Sequence, residues 1–212
     1  MIRVAIASGH TLLRQGLAAL LSHASDVEVV GQAGDPQTLR KEAEEQRPDV
    51  VLLDPRLPGD DVVETIRGVS ELDGRVRILV VDRRSGSALG IRALRAGAHG
   101  LLDGQADLEE LVTAIREVHE GRRHLPAATQ ATLAEMYLEP SEHASPADLL
   151  SEREFQVMCL LASGASSREA AERLSISVKT VDSHRGNLLK KLGLRNNADL
   201  ARFALAHGYV EE

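Results

Sequence analysis

Five short apolar runs, each followed by a helical pattern, constrain the first half of this chain more than any other feature. The runs are Arg3–Ala7, Val27–Ala33, Val50–Leu53, Ile78–Val81 and, more weakly, Gly100–Leu102. Short β-branched runs without strict alternation suit strands buried on both faces, as parallel strands are. Between them apolar residues recur at helical spacing. They include Leu13, Leu17 and Leu20, then Leu39 and Ala43, then Val62, Ile66 and Val69, then Leu89, Ile91 and Leu94, and most regularly Leu108, Leu111, Val112, Ile115 and Val118. Asp35-Pro36 reads as a helix start with proline at its first position, and Asp107-x-x-Glu110 as a capping box. This alternation predicts a doubly wound parallel sheet with helices on both faces.

The pattern breaks at Gly121–Pro126. A further helix is expected near 127–138, and Glu139–Asp148, rich in Pro, Ser and charge, reads as a linker. From there on only helices are expected: Ser151–Ala162, Ser167–Leu174, Val178–Leu192 and Asn197–His207. Ser151-x-x-Glu154 and Ser166-x-x-Glu169 have capping-box spacing. The expected organisation is an α/β domain over 1–120, a linker with a helix over 121–148, and an all-α four-helix domain over 149–212.

The second domain carries the chemistry. A short turn, Ser175-Ile176-Ser177, joins Ser167–Leu174 to Val178–Leu192, which is the layout of a helix-turn-helix. Ala170, Ala171 and Leu174 would pack the first helix, and Val181, Leu188, Leu189 and Leu192 the second. The opposite face of the second helix is basic. Val178–Arg195 holds Lys179, Arg185, Lys190, Lys191 and Arg195 against one acid, Asp182, on a chain whose net charge is −7. Residues 147–212 are neutral in sum, so the whole excess of acid lies before them. A local basic helix on an acidic chain fits site-specific binding to duplex DNA. Lys179, Thr180, Arg185 and Lys190 suit phosphates, Asp182 and Ser183 suit base edges, and Gly186 leaves room for close approach. Two Phe, two Tyr and no Trp disfavour a stacking platform for single strands.

Residues 149–212 resemble the LuxR-type helix-turn-helix, the output module of NarL/FixJ response regulators. The matching residues are Leu150-Ser-Glu-Arg-Glu, Leu160-Leu161-Ala162-x-Gly164, Glu169-Ala-Ala, Leu174-x-Ile176-Ser177-x-Lys179-Thr180-Val181-x-x-His184 and Lys191-Leu192-Gly193. The resemblance implies DNA contacts from Ser177, Lys179, Thr180, Asp182, Ser183, His184, Arg185, Gly186, Asn187, Lys190 and Lys191. It also implies a dimer contact on the last helix, at Ala198, Ala201 and Leu205. The partner is then double-stranded DNA with paired half-sites, bound by a homodimer.

Residues 1–120 resemble a receiver domain, through Pro48-Asp49-Val-Val-Leu-Leu-Asp54-x-Arg56-x-Pro58-Gly59, His10-x-x-x-Arg14-x-Gly16-Leu17 and Arg95-Ala-Gly-Ala-x-Gly100. That implies a flavodoxin-like five-stranded sheet of order 2-1-3-4-5 with Asp54 at the phosphoacceptor position. Receivers also carry an acidic pair after the first strand that holds Mg²⁺, a Ser/Thr after the fourth and a lysine after the fifth. Here those positions hold Ser8 and Gly9, Asp82, and Gly104. The first acid in the chain is Asp26, and no lysine lies between Lys41 and Lys179. Asp82 is expected to add repulsion toward an incoming phosphoryl group, and Arg83 or Arg84 are weak substitutes for the lysine.

The expectation is therefore an atypical response regulator in which Mg²⁺ binding is lost and Asp54 is not used. Its control would come from a small-molecule effector, a partner protein or expression level. The alternatives are a conventional two-component regulator phosphorylated at Asp54, and a partner that heterodimerises with a related regulator. No catalytic arrangement, metal-ligand spacing or other cofactor motif argues for an enzyme. Cys159, the sole cysteine, reads as a small buried hydrophobe. His10, His99, His119, His124 and His143 read as surface residues. The start, MIRVAIAS, lacks a signal-peptide layout, and no apolar run suits a membrane span, so a cytoplasmic location is expected.

Overall fold

The computed structural model describes residues 1–58, 61–72, 74–82, 88–138 and 146–210. Part of the expected linker (139–145), Gly59 of the receiver motif, and Arg83 and Arg84 lie outside the described residues. Two compact units are present, Met1–Thr132 and Leu133–Glu212.

The first unit alternates β1 (Ile2–Ala7), α1 (Thr11–Leu21), β2 (Val27–Ala33), α2 (Pro36–Gln46), β3 (Val50–Leu53), α3 (Val62–Leu72), β4 (Arg77–Asp82), α4 (Ala88–Arg95), β5 (Gly100–Asp103) and α5 (Leu108–His119). All strand pairs are parallel and the order is β2-β1-β3-β4-β5. Alternate residues Val4, Ile6, Val50, Leu52, Leu79 and Leu102 form one core with Leu21 of α1 and with Leu111, Val112, Ile115 and Val118 of α5. The two-residue period sends Val51 and Leu53 to the opposite face, where α2, α3 and α4 pack. Asp35 caps α2, with Pro36 at the first turn, and Asp107 caps α5 by accepting from the Glu110 N–H at 2.9 Å. The Glu110 side chain does not return to the Asp107 N–H, so the expected capping box forms by one arm only.

The first unit extends past residue 120 because the chain after α5 returns to the sheet. His124 bridges Gly100 in parallel, and the Leu101 N–H donates to the His124 carbonyl at 2.8 Å. A Cβ on Gly100 would lie 2.9 Å from that carbonyl, so the strap passes where only glycine fits. Two expected surface histidines are enclosed here. The His124 Nδ1 lies 2.8 Å from Glu117 Oε2, with the His124 side chain largely covered. His99 is half-buried beside Arg77, and its Nδ1 accepts from the Ile78 N–H at 3.1 Å. Burial, and then the charges of Arg77 and Arg123, hold the His99 imidazole below its ordinary value.

The expected helix follows as α6 (Ala127–Leu138). After a 3₁₀ turn at Pro146–Leu149 come α7 (Glu152–Ala162), α8 (Ser167–Arg173), α9 (Val178–Leu192) and α10 (Asn197–Ala206). In this unit both expected capping boxes form in full, Ser151 with Glu154 and Ser166 with Glu169. Phe155, Met158, Leu161, Val181, Leu188, Leu200 and Ala204 are buried between the helices. Phe155 meets Tyr209 edge to face at 5.2 Å. Cys159 is half-buried rather than fully enclosed. Among the described residues no helix is long and apolar enough to cross a membrane.

Candidate functional site

The sheet register assembles the first site. Ala7 pairs with Leu53, so the next residues, Ser8 and Asp54, emerge together at the carboxyl edge. Asp82 pairs with Asp103, and the Gly104 N–H donates to the Asp82 carbonyl at 2.7 Å. Ser8, Asp54, Asp82 and Gly104 thus gather where open α/β sheets bind ligands.

The side chains there are already engaged with one another. The Ser8 hydroxyl donates to Asp54 Oδ2 at 2.8 Å and accepts from the His10 N–H at 3.2 Å. The Arg56 N–H donates to the other carboxylate oxygen, Oδ1, at 2.9 Å. The His10 imidazole stands 3.6 Å from Asp54 Oδ2. A Cβ on Gly9 would lie 2.6 Å from the Pro58 ring, so the loop after β3 has closed over the position of a second carboxylate. Among the described residues no group of three or more His, Cys, Asp or Glu converges to hold a metal ion.

Asp82 does not act as the bare repulsive charge expected. It is 3% exposed and pairs with the Arg56 guanidinium, Nη1 to Oδ1 at 3.2 Å. Arg56 therefore ties two strands' ends together, its backbone on Asp54 and its side chain on Asp82. Sequence reasoning sought a replacement cation at Arg83 or Arg84 and missed this one. Its only signal was its place two residues after Asp54; reach across to β4 follows from strand order.

The second site is the exposed face of α9. The helix-turn-helix turn forms with Ser175 in the left-handed region, φ 53°. Ser177 is the N-cap: its Oγ accepts from the Thr180 N–H at 3.1 Å and lies 2.7 Å from Thr180 Oγ1. Val181 and Leu188 are buried, while Leu189 and Leu192 are half-buried. Lys179, Asp182, Ser183, Gly186, Asn187 and Lys190 are exposed and share one stripe at helical spacing. Thr180 is exposed beside it, and His184 is half-buried.

The basic residues divide by role. Arg185 is half-buried and its Nε donates to Asn197 Oδ1 at 2.7 Å. Lys191 reaches back to Glu154 of α7, 2.6 Å from Oε2, so it ties α9 to the first capping box. Lys179 and Lys190 project from the stripe without an acidic partner among the described residues. On α10, Leu200 and Ala204 are buried, Ala198 is exposed, and Ala201 and Leu205 are half-buried.

The Glu154 contact predicts acid sensitivity. Burial pushes the Glu154 carboxyl up, but hydrogen bonds from Lys191 and Ser151 outweigh it and hold the group below its ordinary value of 4.5. A lowered carboxyl contributes stability that is present above its ordinary value and lost as pH falls through the folded-state value. Thermal melts of the full chain between pH 6 and pH 3, about the range that spans carboxylate titration, are expected to show the output transition falling on acidification. Glu154→Gln is expected to be less stable at neutral pH and to fall less steeply. Parallel curves for the two proteins would remove Glu154 from the acid response.

Comparison with known proteins agrees with this architecture. Residues 4–116 match the response regulator receiver domain, and residues 148–204 match the bacterial regulatory proteins of the luxR family. The chain is 34% identical to response regulator GacA of Pseudomonas aeruginosa over 211 residues, covering 100% of this chain and 99% of that one. It is 32% identical to response regulator UvrY of Escherichia coli over 208 residues, covering 98% and 95%. Among solved structures, RcsB from Salmonella enterica serovar Typhimurium, bound to promoter rprA with the phosphomimetic BeF3⁻, shares the fold. Its TM-score is 0.73 at 22% identity, covering 95% of this chain and 97% of that one. The chain belongs to the LuxR-family response regulators, DNA-binding transcriptional regulators rather than enzymes.

Proposed function

We propose that this regulator binds duplex DNA as a homodimer at paired half-sites, and that its receiver controls it without a phosphoryl group on Asp54. The observation that carries the second part is the self-satisfied pocket. Ser8 and Arg56 occupy the two oxygens of Asp54, and Asp82 is neutralised by the same arginine. The residues do not fit Mg²⁺: a hydroxyl and a glycine stand where two acids belong, and Pro58 lies against that glycine. Phosphoryl transfer without that cation leaves the incoming charge unneutralised.

Support for the DNA partner comes from the polar stripe on α9 and from RcsB, captured on promoter DNA and as two dimers on two parallel DNAs. The exposed and half-buried residues Ala198, Ala201 and Leu205 give α10 an apolar face for a two-fold contact. Two such subunits place two α9 helices on successive major grooves, about one helical turn apart. Control then falls to an effector seated at the Asp54 pocket, to a partner protein, or to the amount of protein made, and the protein acts in the cytoplasm.

Incubation with acetyl phosphate and Mg²⁺, followed by intact mass measurement, tests this. The expected result is no phosphoprotein, with Asp54→Ala binding DNA as tightly as the parent. A stoichiometric phosphoryl adduct that tightens DNA binding and disappears in Asp54→Ala would establish the conventional switch instead.

A further inference from the structure

We infer that Ser167 is a positioning residue for sequence readout: it orients Asp182 so that one carboxylate oxygen accepts from the exocyclic amine of a cytosine in the major groove. This rests on the DNA-binding reading of α9. Asp182 sits in the middle of the exposed stripe, and the Ser167 hydroxyl donates to its Oδ1 at 3.0 Å from the first residue of α8. Ser167 is itself fixed. Ser166, immediately before it, caps α8 through both arms of its box with Glu169. The hydroxyl therefore comes from the capped first turn of a helix.

The neighbours on α9 do not claim the carboxylate. Lys179 and Arg185 flank it at three residues on either side, the spacing at which helix pairs form. Neither pairs with it, and the Arg185 guanidinium is turned to Asn197. Asp182 makes no other hydrogen bond among the described residues, so Oδ2 stays open on the stripe.

A carboxylate near DNA is repelled by phosphates, and in the groove it is favoured only by a donor. Cytosine offers its N4 amine; adenine pairs its N6 amine with the N7 acceptor, which opposes a carboxylate; guanine and thymine offer acceptors. Holding one oxygen on Ser167 removes the rotation that would let Asp182 swing toward Lys179. Gly186, one turn further along, has nothing within 4 Å of where its Cβ would stand, so the helix backbone can come close to the base edge there.

The probe is a duplex selected by the full-length chain from a random-sequence DNA pool, then varied one base pair at a time. The parent is expected to prefer C·G over other pairs at one position in each half-site by about tenfold. Asp182→Ala abolishes that preference. Ser167→Ala lowers it by about fivefold, with the melting temperature, the salt dependence and the affinity for a scrambled duplex unchanged. Ser167→Thr keeps the hydroxyl and keeps the preference. An unchanged preference in Ser167→Ala overturns the inference. So does a loss spread over all positions together with a lower melting temperature, which would mean that Ser167 only packs α8 on α9. If a duplex is selected but no position answers to Asp182→Ala, the inference fails and the DNA-binding reading stands. If the pool yields no duplex, the DNA-binding reading fails and the inference with it.

Discussion

Arg56→Ala is expected to destabilise the receiver by about 3 kcal/mol. The residue holds Asp82, a carboxylate that is 3% exposed, through a guanidinium that is itself 15% exposed. Deleting the cation keeps the desolvated anion in place and removes the charge that offsets it. Asp82 has further interactions, which puts the expected cost at the lower end for a broken buried pair. The same arginine holds Asp54 through its backbone, and alanine keeps that N–H, so the hydrogen bond to Asp54 is retained. Urea denaturation of the full chain, following the receiver transition, measures it. Replacing both partners by apolar residues, Arg56→Met with Asp82→Leu, is expected to recover most of the loss, because neither charge then remains in the pocket. A change under about 0.5 kcal/mol in Arg56→Ala would mean that water screens the pair, as at an exposed site. The pocket would then lack the internal neutralisation on which phosphate-independent control rests.

Much of the fold was legible because it follows from local period and caps. The runs at Val27–Ala33 and Val50–Leu53 became β2 and β3 over those same residues, and Ser151, Ser166, Asp35 and Asp107 each cap the helix they announced. β5 read weakly for a physical reason. It has four residues and starts on Gly100, where a strap carbonyl would meet any Cβ. The strap itself was illegible, since Gly121–Pro126 carries turn residues and no period, and its pairing depends on a strand edge more than twenty residues earlier.

The sites divide in the same way. Strand order alone brings Ser8, Asp54, Asp82 and Gly104 to one edge, so the pocket could be named in advance. Which cation would answer Asp82 could not be, because Arg56 and Asp82 are 26 residues apart and meet only across the sheet. On α9 the helical period showed which residues face out. It could not show that Lys191 turns to Glu154, 37 residues earlier, or that Arg185 turns to Asn197. Counting basic residues therefore overstated the free positive charge of the stripe, which rests chiefly on Lys179 and Lys190.

Gly186→Leu is expected to move stability and DNA binding in opposite directions. Gly186 lies inside α9, where glycine costs about 0.7 kcal/mol relative to leucine through its backbone freedom. Nothing stands within 4 Å of the position its Cβ would take, so the fold can accept a side chain there. The output transition should rise by about 3–5 °C, as that energy implies for a domain of this size. Affinity for a selected duplex should fall at least about tenfold, because a leucine at the centre of the Lys179–Lys190 stripe holds the helix away from the base edges and offers them no hydrogen bond. A scrambled duplex, held mainly through phosphates, should lose less. A surface position outside the interface would show the gain in stability alone, and a position needed for packing would show a loss of both. Only a residue on the groove face combines a firmer helix with a weaker complex. A stabilised Gly186→Leu that binds its duplex unchanged would place the DNA on some other face of the domain.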